Sequence, residues 1–143
     1  EKRGRKAYAQ LGPVFSDRVR RRKQDLSAEI AALAAKAGVS GREPILAISG
    51  VSGAHAATAA EQKAFEAMPD VALRGFSSLV GHLKEAQFPF AVALAALAVH
   101  NRAAYPAFDA EAEKPFSGDT KSVLATTIGY HQFEGMAQVL AAD

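Results

Sequence analysis

The sequence predicts an α/β fold in which one mixed, mainly parallel sheet carries helices on both faces and encloses a buried central helix. Three observations support this prediction. Segments with strand patterns alternate with segments of helical periodicity along most of the chain. Two of the apolar strands run directly into loops rich in glycine and serine, "SGVSGAH" and "GFSSLVGH". One predicted helix near the middle of the chain has almost no polar side.

The composition is that of an ordinary globular domain, and it excludes several kinds of site. Of the 143 residues, 49% are hydrophobic and 22% are charged, so residues 1–143 can form a single domain with a core of normal size. The chain has no cysteine, which excludes disulfides, thiolate metal sites and a cysteine nucleophile within it. The histidines are far apart in sequence and no phosphate-binding glycine loop is present, so we expect neither a metal nor a cofactor.

The hydrophobic segments do not predict a membrane protein. The longest apolar run is about twelve residues, well short of the roughly 20 residues that a membrane-spanning helix requires. The basic first residues are not followed by the apolar core of a secretory signal. From these two features we expect a protein without a membrane span that is located in the cytoplasm.

Charge is distributed unevenly along the chain. Residues 1–23 contain nine lysines and arginines and two acids, whereas the remainder contains eight basic and thirteen acidic residues. The densest cluster, Arg18 to Lys23, could bind an acidic protein or a nucleic acid, or it could simply be a solvated turn before a helix. Nucleic acid is the least favoured of these, because no aromatic platform accompanies the cluster and the rest of the chain is acidic.

The N-terminal part predicts a strand followed by a helix. "KAYAQLGPVF" (Lys6–Phe15) alternates apolar and polar residues around a Gly-Pro pair, which is typical of a strand with a bend. Apolar residues then recur at helical spacing between Leu26 and Ala37. Either Asp25 or Ser27 can cap the start of this helix, and Gly38 is well placed to end it.

The alternation of strands and helices continues through the rest of the chain. The segment Glu43–Gly50 is continuously apolar, as in a strand that is buried on both faces. A helix is predicted over Thr58–Met68, ended by Pro69, and the next strand and its loop over Val71–Ser78. The chain is irregular after residue 105, and the last two strands are expected at Val123–Thr127 and in "GMAQVLAA".

The helix predicted from Gly81 to His100 is the most unusual element. Between Phe88 and Val99 it reads "FPFAVALAALAV" and has no polar face, whereas a helix on the surface of a sheet normally has one. It is too short for a membrane, so we expect it to be covered on all sides. One sheet of this chain can hardly bury it completely, which predicts that a second layer is supplied from elsewhere. Pro89 is tolerated if it lies in the first turns.

Several short motifs occur in a recognisable order. "EKRGRKAYAQLGPV" approximates an opening segment of the form A-x-x-R-G-x-x-x-Y-A-x-x-x-G, and "ILAISG" is a strand before a small-residue loop. Single residues match an Asp-x-x-Glu motif, a Lys-Ser-x-x-Gly-His motif and a terminal Ser-Phe-Gly-Phe-Gly-Gly-x-Asn segment. These residues are Thr58, Glu61, Ser78, Gly81, His82, Gly129 and Tyr130. Together the motifs resemble the C-terminal half of the β-ketoacyl-(acyl carrier protein) synthases, which belong to the thiolase-like superfamily.

The resemblance implies a thiolase-like layered fold and an acyltransferase chemistry. The family extends acyl chains by decarboxylative Claisen condensation, in which a cysteine carries the acyl group. Two histidines stabilise the negative charge that develops on the malonyl thioester. The cysteine belongs to the N-terminal half of the family's fold, so its absence here is expected. The implied partners are an acyl carrier protein and either an active ketosynthase subunit or the missing N-terminal half, in a homodimer or heterodimer.

The match to the family's catalytic residues is incomplete. Only His82 corresponds to a catalytic histidine. Ser49 or Gly50 occupies the position of the other, and His55 follows about five residues later in a small-residue loop. Ser77 replaces the family's lysine and cannot supply its positive charge.

Two bulky residues further distinguish the predicted site. Phe88 brings bulk to a position where the family leaves room for the acyl chain. Tyr130 stands at an aromatic position of the family's terminal turn, and His131 and Gln132 after it replace glycines that reach positive φ without cost. We therefore predict that Phe88 and Tyr130, with Ser49 and Ser77, line the substrate channel.

Three functional hypotheses remain open at this point. The first is a catalytically degenerate or partner-dependent subunit, similar to a chain-length factor, in fatty acid, lipid or polyketide synthesis. The second is an active acyltransferase in which a neutral His82, at the N-terminus of the apolar helix, donates from its Nε2–H to a carbonyl. The third is a nucleic-acid-binding domain that uses the basic N-terminal segment. The incomplete site favours the first hypothesis, in which His82 only bonds locally and caps the helix.

Overall fold

The computed structural model describes residue 4 and residues 6–39 and 43–142. Positions 1–3 and 5 of the basic N-terminal segment therefore lie outside the described residues. The strands are β1 (Gln10–Asp17), β2 (Ile45–Ser49), β3 (Val71–Gly75), β4 (Ser122–Ile128) and β5 (Glu134–Leu140). The helices are α1 (Leu26–Lys36), α2 (His55–Glu66), the one-turn α3 (Ser77–Val80) and α4 (Gln87–Asn101), and a 3₁₀ turn covers Lys84–Ala86.

The five strands form one sheet in the order β1-β5-β4-β2-β3. The central strand β2 pairs in parallel with both β3 and β4, whereas β5 pairs in antiparallel fashion with both β4 and β1. Four strands therefore run in one direction and only β5 opposes them. All five residues of β2 are buried, as expected for a parallel strand that is covered on both faces. The predicted mixed, mainly parallel sheet is confirmed.

The two faces of the sheet carry separate cores. Helices α1 and α2 pack on one face together with Ala47 and Leu124, and α4 packs on the other with Leu46 and Ile48. The split follows the period of two along a strand, since successive side chains point to opposite faces. Burying a large apolar side chain in such a core is worth about 1.5–3 kcal/mol. The prediction of helices on both faces is also confirmed.

The first strand and helix follow the local signals in the sequence. β1 starts at Gln10 instead of Lys6, and its register against β5 shifts between Leu11 and Val14, where the Gly-Pro pair produces the predicted bend. Asp25 caps α1, because its side chain accepts a hydrogen bond from the Ser27 N–H at 3.0 Å. Gly38 follows the helix with a φ of +93°, which only glycine adopts without strain.

Two helix starts differ from the prediction. α2 begins at His55, three residues before the predicted Thr58, so His55 is an exposed first-turn residue and not part of a flexible loop. α4 begins only at Gln87, not at Gly81. Gly81 and Lys84 have φ values of +76° and +52°, which are incompatible with a continuous right-handed helix. Pro89 then falls in the first turn, where no helical N–H is lost.

α4 is covered by this chain on one side only. Its buried residues are Gln87, Ala91, Ala95, Ala98 and Val99. On the opposite side Pro89, Ala93 and Leu97 are exposed, Leu97 to 46%, and Val92 and Leu94 are half-buried. Burial on all sides is therefore not found within the described chain, because the sheet supplies cover for only one face of the helix. Across the described ranges, no helix combines the length and the apolar character needed to cross a membrane.

Candidate functional site

The carboxyl ends of β2 and β3 lie side by side, with Ser49 paired to Gly75. In parallel sheets this edge is where loops gather and ligands bind. The loop after β2 continues along β4, since Val51 forms an isolated parallel bridge with Ile128. The loop after β3 forms α3 and then leads to His82 and α4. The fold therefore brings the two glycine- and serine-rich loops together.

Gln87 joins these two loops through a buried amide. The side chain is on the first residue of α4 and only 2% of the residue is exposed. Its Nε2 donates to the Val51 carbonyl at 3.0 Å and to Ser77 Oγ at 2.8 Å. Its Oε1 accepts from the Leu83 N–H at 2.8 Å. Ser77 Oγ in turn donates to the same Val51 carbonyl at 2.9 Å. In the sequence, Gln87 is marked only as a lone amide before an apolar run.

His82 is attached to this amide. Its Nδ1 lies 3.2 Å from Gln87 Oε1, and the residue is exposed. It lies in a loop five residues before α4 begins. The expected placement of His82 at the N-terminus of the apolar helix is therefore wrong, and the effect of a helix dipole falls off within the first turn. His82 instead contacts the side chain of Gln87, the first residue of α4.

A second polar cluster lies on the α1/α2 face of the sheet. Glu61, on α2, is 2% exposed and accepts hydrogen bonds from Ser49 Oγ at 2.5 Å and Thr126 Oγ1 at 2.6 Å. Burial raises the pKa of this carboxyl, and the two hydroxyl hydrogen bonds oppose the rise only in part. Among the described residues Glu61 has no ion pair. The acidic motif position therefore holds a carboxyl that only hydroxyl groups satisfy.

Gly50 is in close contact with the backbone of β4. Its N–H donates to the Thr126 carbonyl at 3.0 Å. A Cβ atom built on Gly50 would lie 2.2 Å from that carbonyl oxygen, a distance that no side chain tolerates. This is the position, with Ser49, to which the resemblance assigns the first catalytic histidine. The backbone here leaves no room for any side chain at residue 50.

The backbone of Val51 connects the two polar clusters. Its N–H donates to Ser49 Oγ at 3.4 Å, and its carbonyl accepts from Ser77 and Gln87. A continuous hydrogen-bonded chain thus runs from the buried Glu61 to the exposed His82. Of the residues predicted from sequence, it includes Ser49, Ser77 and His82.

The other two predicted channel residues are placed differently. Phe88 is half-buried in the core on the α4 face, next to Gln87 in the chain. Tyr130 is 64% exposed in the turn between β4 and β5, and its ring lies 4.1 Å from that of His131. In this turn the positive φ of +70° falls on Phe133 and not on residues 130–132. The roles of Phe88 and Tyr130 as channel walls stay predictions.

Residues 18–23, here named the basic turn, pack against the β4–β5 turn. Arg21 Nη2 donates to Glu134 Oε1 at 2.5 Å and to the Gly129 carbonyl at 2.7 Å, and Glu134 is 2% exposed. Arg18 donates to Gln132 Oε1 at 2.7 Å. The basic turn and residues 130–132 line a cavity of about 680 Å³. The exposed cations on this surface are Arg18, Arg20, Arg22 and Lys23.

Comparisons with known proteins support the fold of the chain. No family model and no curated protein matches the chain. Among solved structures, the chain is similar to the oxazolomycin ketosynthase domain OzmH KS8 of Streptomyces albus JA3453, with a TM-score of 0.72 and 16% sequence identity. The similarity covers 96% of this chain and 46% of that domain. The predicted thiolase-like layered fold is confirmed, and the chain spans slightly less than half the length of a ketosynthase domain.

Proposed function

We propose that this chain forms the C-terminal layer of a β-ketoacyl-(acyl carrier protein) synthase-like protein in fatty acid, lipid or polyketide synthesis. In this proposal the protein does not condense acyl groups by itself and acts as a partner-dependent subunit, similar to a chain-length factor. The fold of a ketosynthase layer supports the class of protein. The observation that carries the loss of catalysis is the contact between Gly50 and Thr126.

The contact at Gly50 supports a loss of catalysis that a histidine at this one position could not repair. A histidine at this position would require the strand end to move away from β4, since the Thr126 carbonyl occupies the space of its Cβ. Decarboxylation in the family relies on two hydrogen-bond donors at the thioester oxygen. Removing one hydrogen-bond donor from the oxyanion hole of a serine protease costs about 2.7–4 kcal/mol of transition-state stabilisation, and we expect a loss of the same order here. A site with His82 alone is therefore a poor catalyst of this step.

The neutral character of the polar chain supports the same conclusion. Ser77 stands where the resemblance assigns a lysine, and its Oγ accepts a hydrogen bond from the uncharged amide of Gln87. Glu61 is satisfied by the hydroxyls of Ser49 and Thr126 instead of by a cation. The hydrogen bonds of Gln87 and Ser77 hold the two loops together, and among the described residues no lysine or arginine takes part in either cluster. This arrangement suits a structural role better than stabilisation of an anion.

Two surfaces support dependence on partners. The side of α4 with exposed Pro89, Ala93 and Leu97 is apolar, and we propose that the N-terminal half of a ketosynthase-like fold covers it. The exposed cations of the basic turn suit an acidic partner, and we propose an acyl carrier protein. Phe88, at the start of the same helix, would then limit the length of the acyl chain.

A condensation assay tests this function. The purified protein is incubated with acyl and malonyl carrier protein, alone and together with a catalytically complete ketosynthase from the same biosynthetic system. We expect no β-ketoacyl product from the protein alone. We expect a change in product chain length when both proteins are present, and Phe88→Ala should shift that distribution towards longer chains. Condensation by the protein alone would contradict the proposal.

A further inference from the structure

The orientation of the Gln87 amide is fixed at both of its ends. Its two polar atoms differ in chemistry, because Nε2 can only donate and Oε1 can only accept. Nε2 faces the Val51 carbonyl, which accepts, and Oε1 faces the Leu83 N–H, which donates. Rotating the amide by 180° would place two acceptors together at Val51 and two donors together at Leu83. Since the residue is 2% exposed, water cannot relieve either repulsion. Only one orientation satisfies both backbone groups.

The orientation of the Gln87 amide determines which ring nitrogen of His82 carries a proton. The atom that faces His82 Nδ1, at 3.2 Å, is the acceptor Gln87 Oε1. A carbonyl oxygen has two lone pairs, so Oε1 can accept from the Leu83 N–H and from a ring N–H together. An unprotonated Nδ1 would instead bring two lone pairs into contact. The hydrogen bond forms only when Nδ1 carries a proton.

We infer that Gln87 holds the neutral ring of His82 as the Nδ1–H tautomer, which leaves Nε2 as an unprotonated hydrogen-bond acceptor. Gln87 is thus a positioning residue that sets which nitrogen of His82 is available to a ligand. The group that such a nitrogen accepts from is a hydroxyl or a thiol, and not the carbonyl oxygen of a thioester. In this tautomer a neutral His82 would have no Nε2–H to donate to a carbonyl, in contrast to the second hypothesis from the sequence. The inference uses no acyl chemistry and goes beyond the proposed function.

Nuclear magnetic resonance of the ring nitrogens tests the inference directly. The protein is prepared with ¹⁵N-labelled histidine, and two-bond proton–nitrogen correlations are recorded without substrate at a pH where the rings are neutral. A His82→Gln variant identifies the His82 signals by their loss. We expect Nδ1 to show the shift of a protonated nitrogen and Nε2 that of an unprotonated one. A wild-type His82 with its proton on Nε2 would overturn the inference.

Two substitutions then test the part played by Gln87. In Gln87→Met the acceptor is lost, and we expect the His82 population to move towards the Nε2–H form that free imidazole side chains favour in water. Gln62→Met, at an exposed glutamine on α2, is the matched control and should leave His82 unchanged. Persistence of the Nδ1–H form in a folded Gln87→Met protein would refute the role of Gln87. Because no substrate is present, these results are independent of whether the protein condenses acyl groups.

Discussion

The carbonyl oxygen of Thr126 lies 2.2 Å from the point where a Cβ atom of Gly50 would stand. Gly50 directly follows β2 and Thr126 lies within β4, and the two residues are also joined by a hydrogen bond from the Gly50 N–H at 3.0 Å. The close approach is thus part of how the strand end is held. It leaves no room for a side chain at Gly50, one of the two positions to which the resemblance assigns the first catalytic histidine.

Adding a single methyl group at Gly50 should destabilise the fold. Gly50→Ala forces the strand end away from β4, and overpacking of this kind costs about 1–3 kcal/mol. Gly75→Ala is the matched control, because the nearest atom to its Cβ is 3.5 Å away, an ordinary contact. Urea denaturation compares the free energies of unfolding. Equal stability of the two variants would show that the contact with Thr126 is not tight.

Substitution of Gly50 by histidine should likewise fail to restore catalysis. The new side chain cannot reach the site without displacing Val51, whose backbone joins the two polar clusters. We expect Gly50→His to be less stable than wild type and to show no gain in decarboxylation of malonyl carrier protein. A gain in activity would mean that the backbone adapts to the new side chain and that a single substitution can restore the catalytic histidine.

The buried Glu61 should make the stability of the protein fall as pH rises. Burial raises the folded-state pKa of this carboxyl above its ordinary value of 4.5. Its contribution is therefore fully present below the unfolded pKa and is lost as pH rises towards the folded pKa. In Glu61→Gln this loss is absent. We expect the free energy of unfolding of the variant, relative to wild type, to increase between pH 4 and pH 8. A constant difference over this range would exclude a raised pKa.

Breaking the ion pair between Arg21 and Glu134 should be costly. Removing one member of a buried pair typically costs about 3–5 kcal/mol, since the other charge is left uncompensated. Arg21 keeps 19% of its side chain exposed. We therefore expect Glu134→Gln to lower the free energy of unfolding by an amount at or below the lower end of this range. Asp119→Asn, which breaks an exposed pair with Lys121, should have no measurable effect. If both variants unfold at the same urea concentration, Arg21 does not anchor the basic turn.

The basic turn should attract an acidic partner mainly through charge. Reversing two exposed cations, Arg20→Glu with Arg22→Glu, should weaken binding to acyl carrier protein and reduce its dependence on salt. The control is Lys36→Glu with Lys63→Glu, which changes the net charge equally on exposed positions of α1 and α2. Fluorescence anisotropy at several salt concentrations measures the binding of each double variant to acyl carrier protein. Equal weakening by the two pairs would indicate an effect of net charge and no specific surface.

Much of the fold could be predicted because local patterns determined it. The helical spacing of apolar residues from Leu26 to Ala37, with Asp25 as a possible cap, predicted α1. The continuous apolar run within Glu43–Gly50 predicted β2. The start of α4 could not be predicted in this way. Its apolar run begins near Phe88, but Gly81 looked like a helix start, and only the structure shows positive φ at Gly81 and Lys84.

Residues of the candidate site could be predicted only where they belong to a motif of the family that the sequence resembles. Ser77 and His82 were found through the family resemblance. Gln87 was missed because its partner Val51 is 36 residues away in the chain. The contact between Gly50 and Thr126 spans 76 residues. Hydrogen bonds between distant loops leave no periodicity in a sequence, and the neighbours of Gly50 are set by strand order alone.

Decarboxylation of malonyl carrier protein tests the central claim most directly, because it requires the two-histidine chemistry but no acyl acceptor. Release of carbon dioxide is measured for wild type and for His82→Ala. The account predicts that both release it at the rate seen without protein. Release by wild type that His82→Ala abolishes would contradict the account and would show that His82 is a catalytic residue.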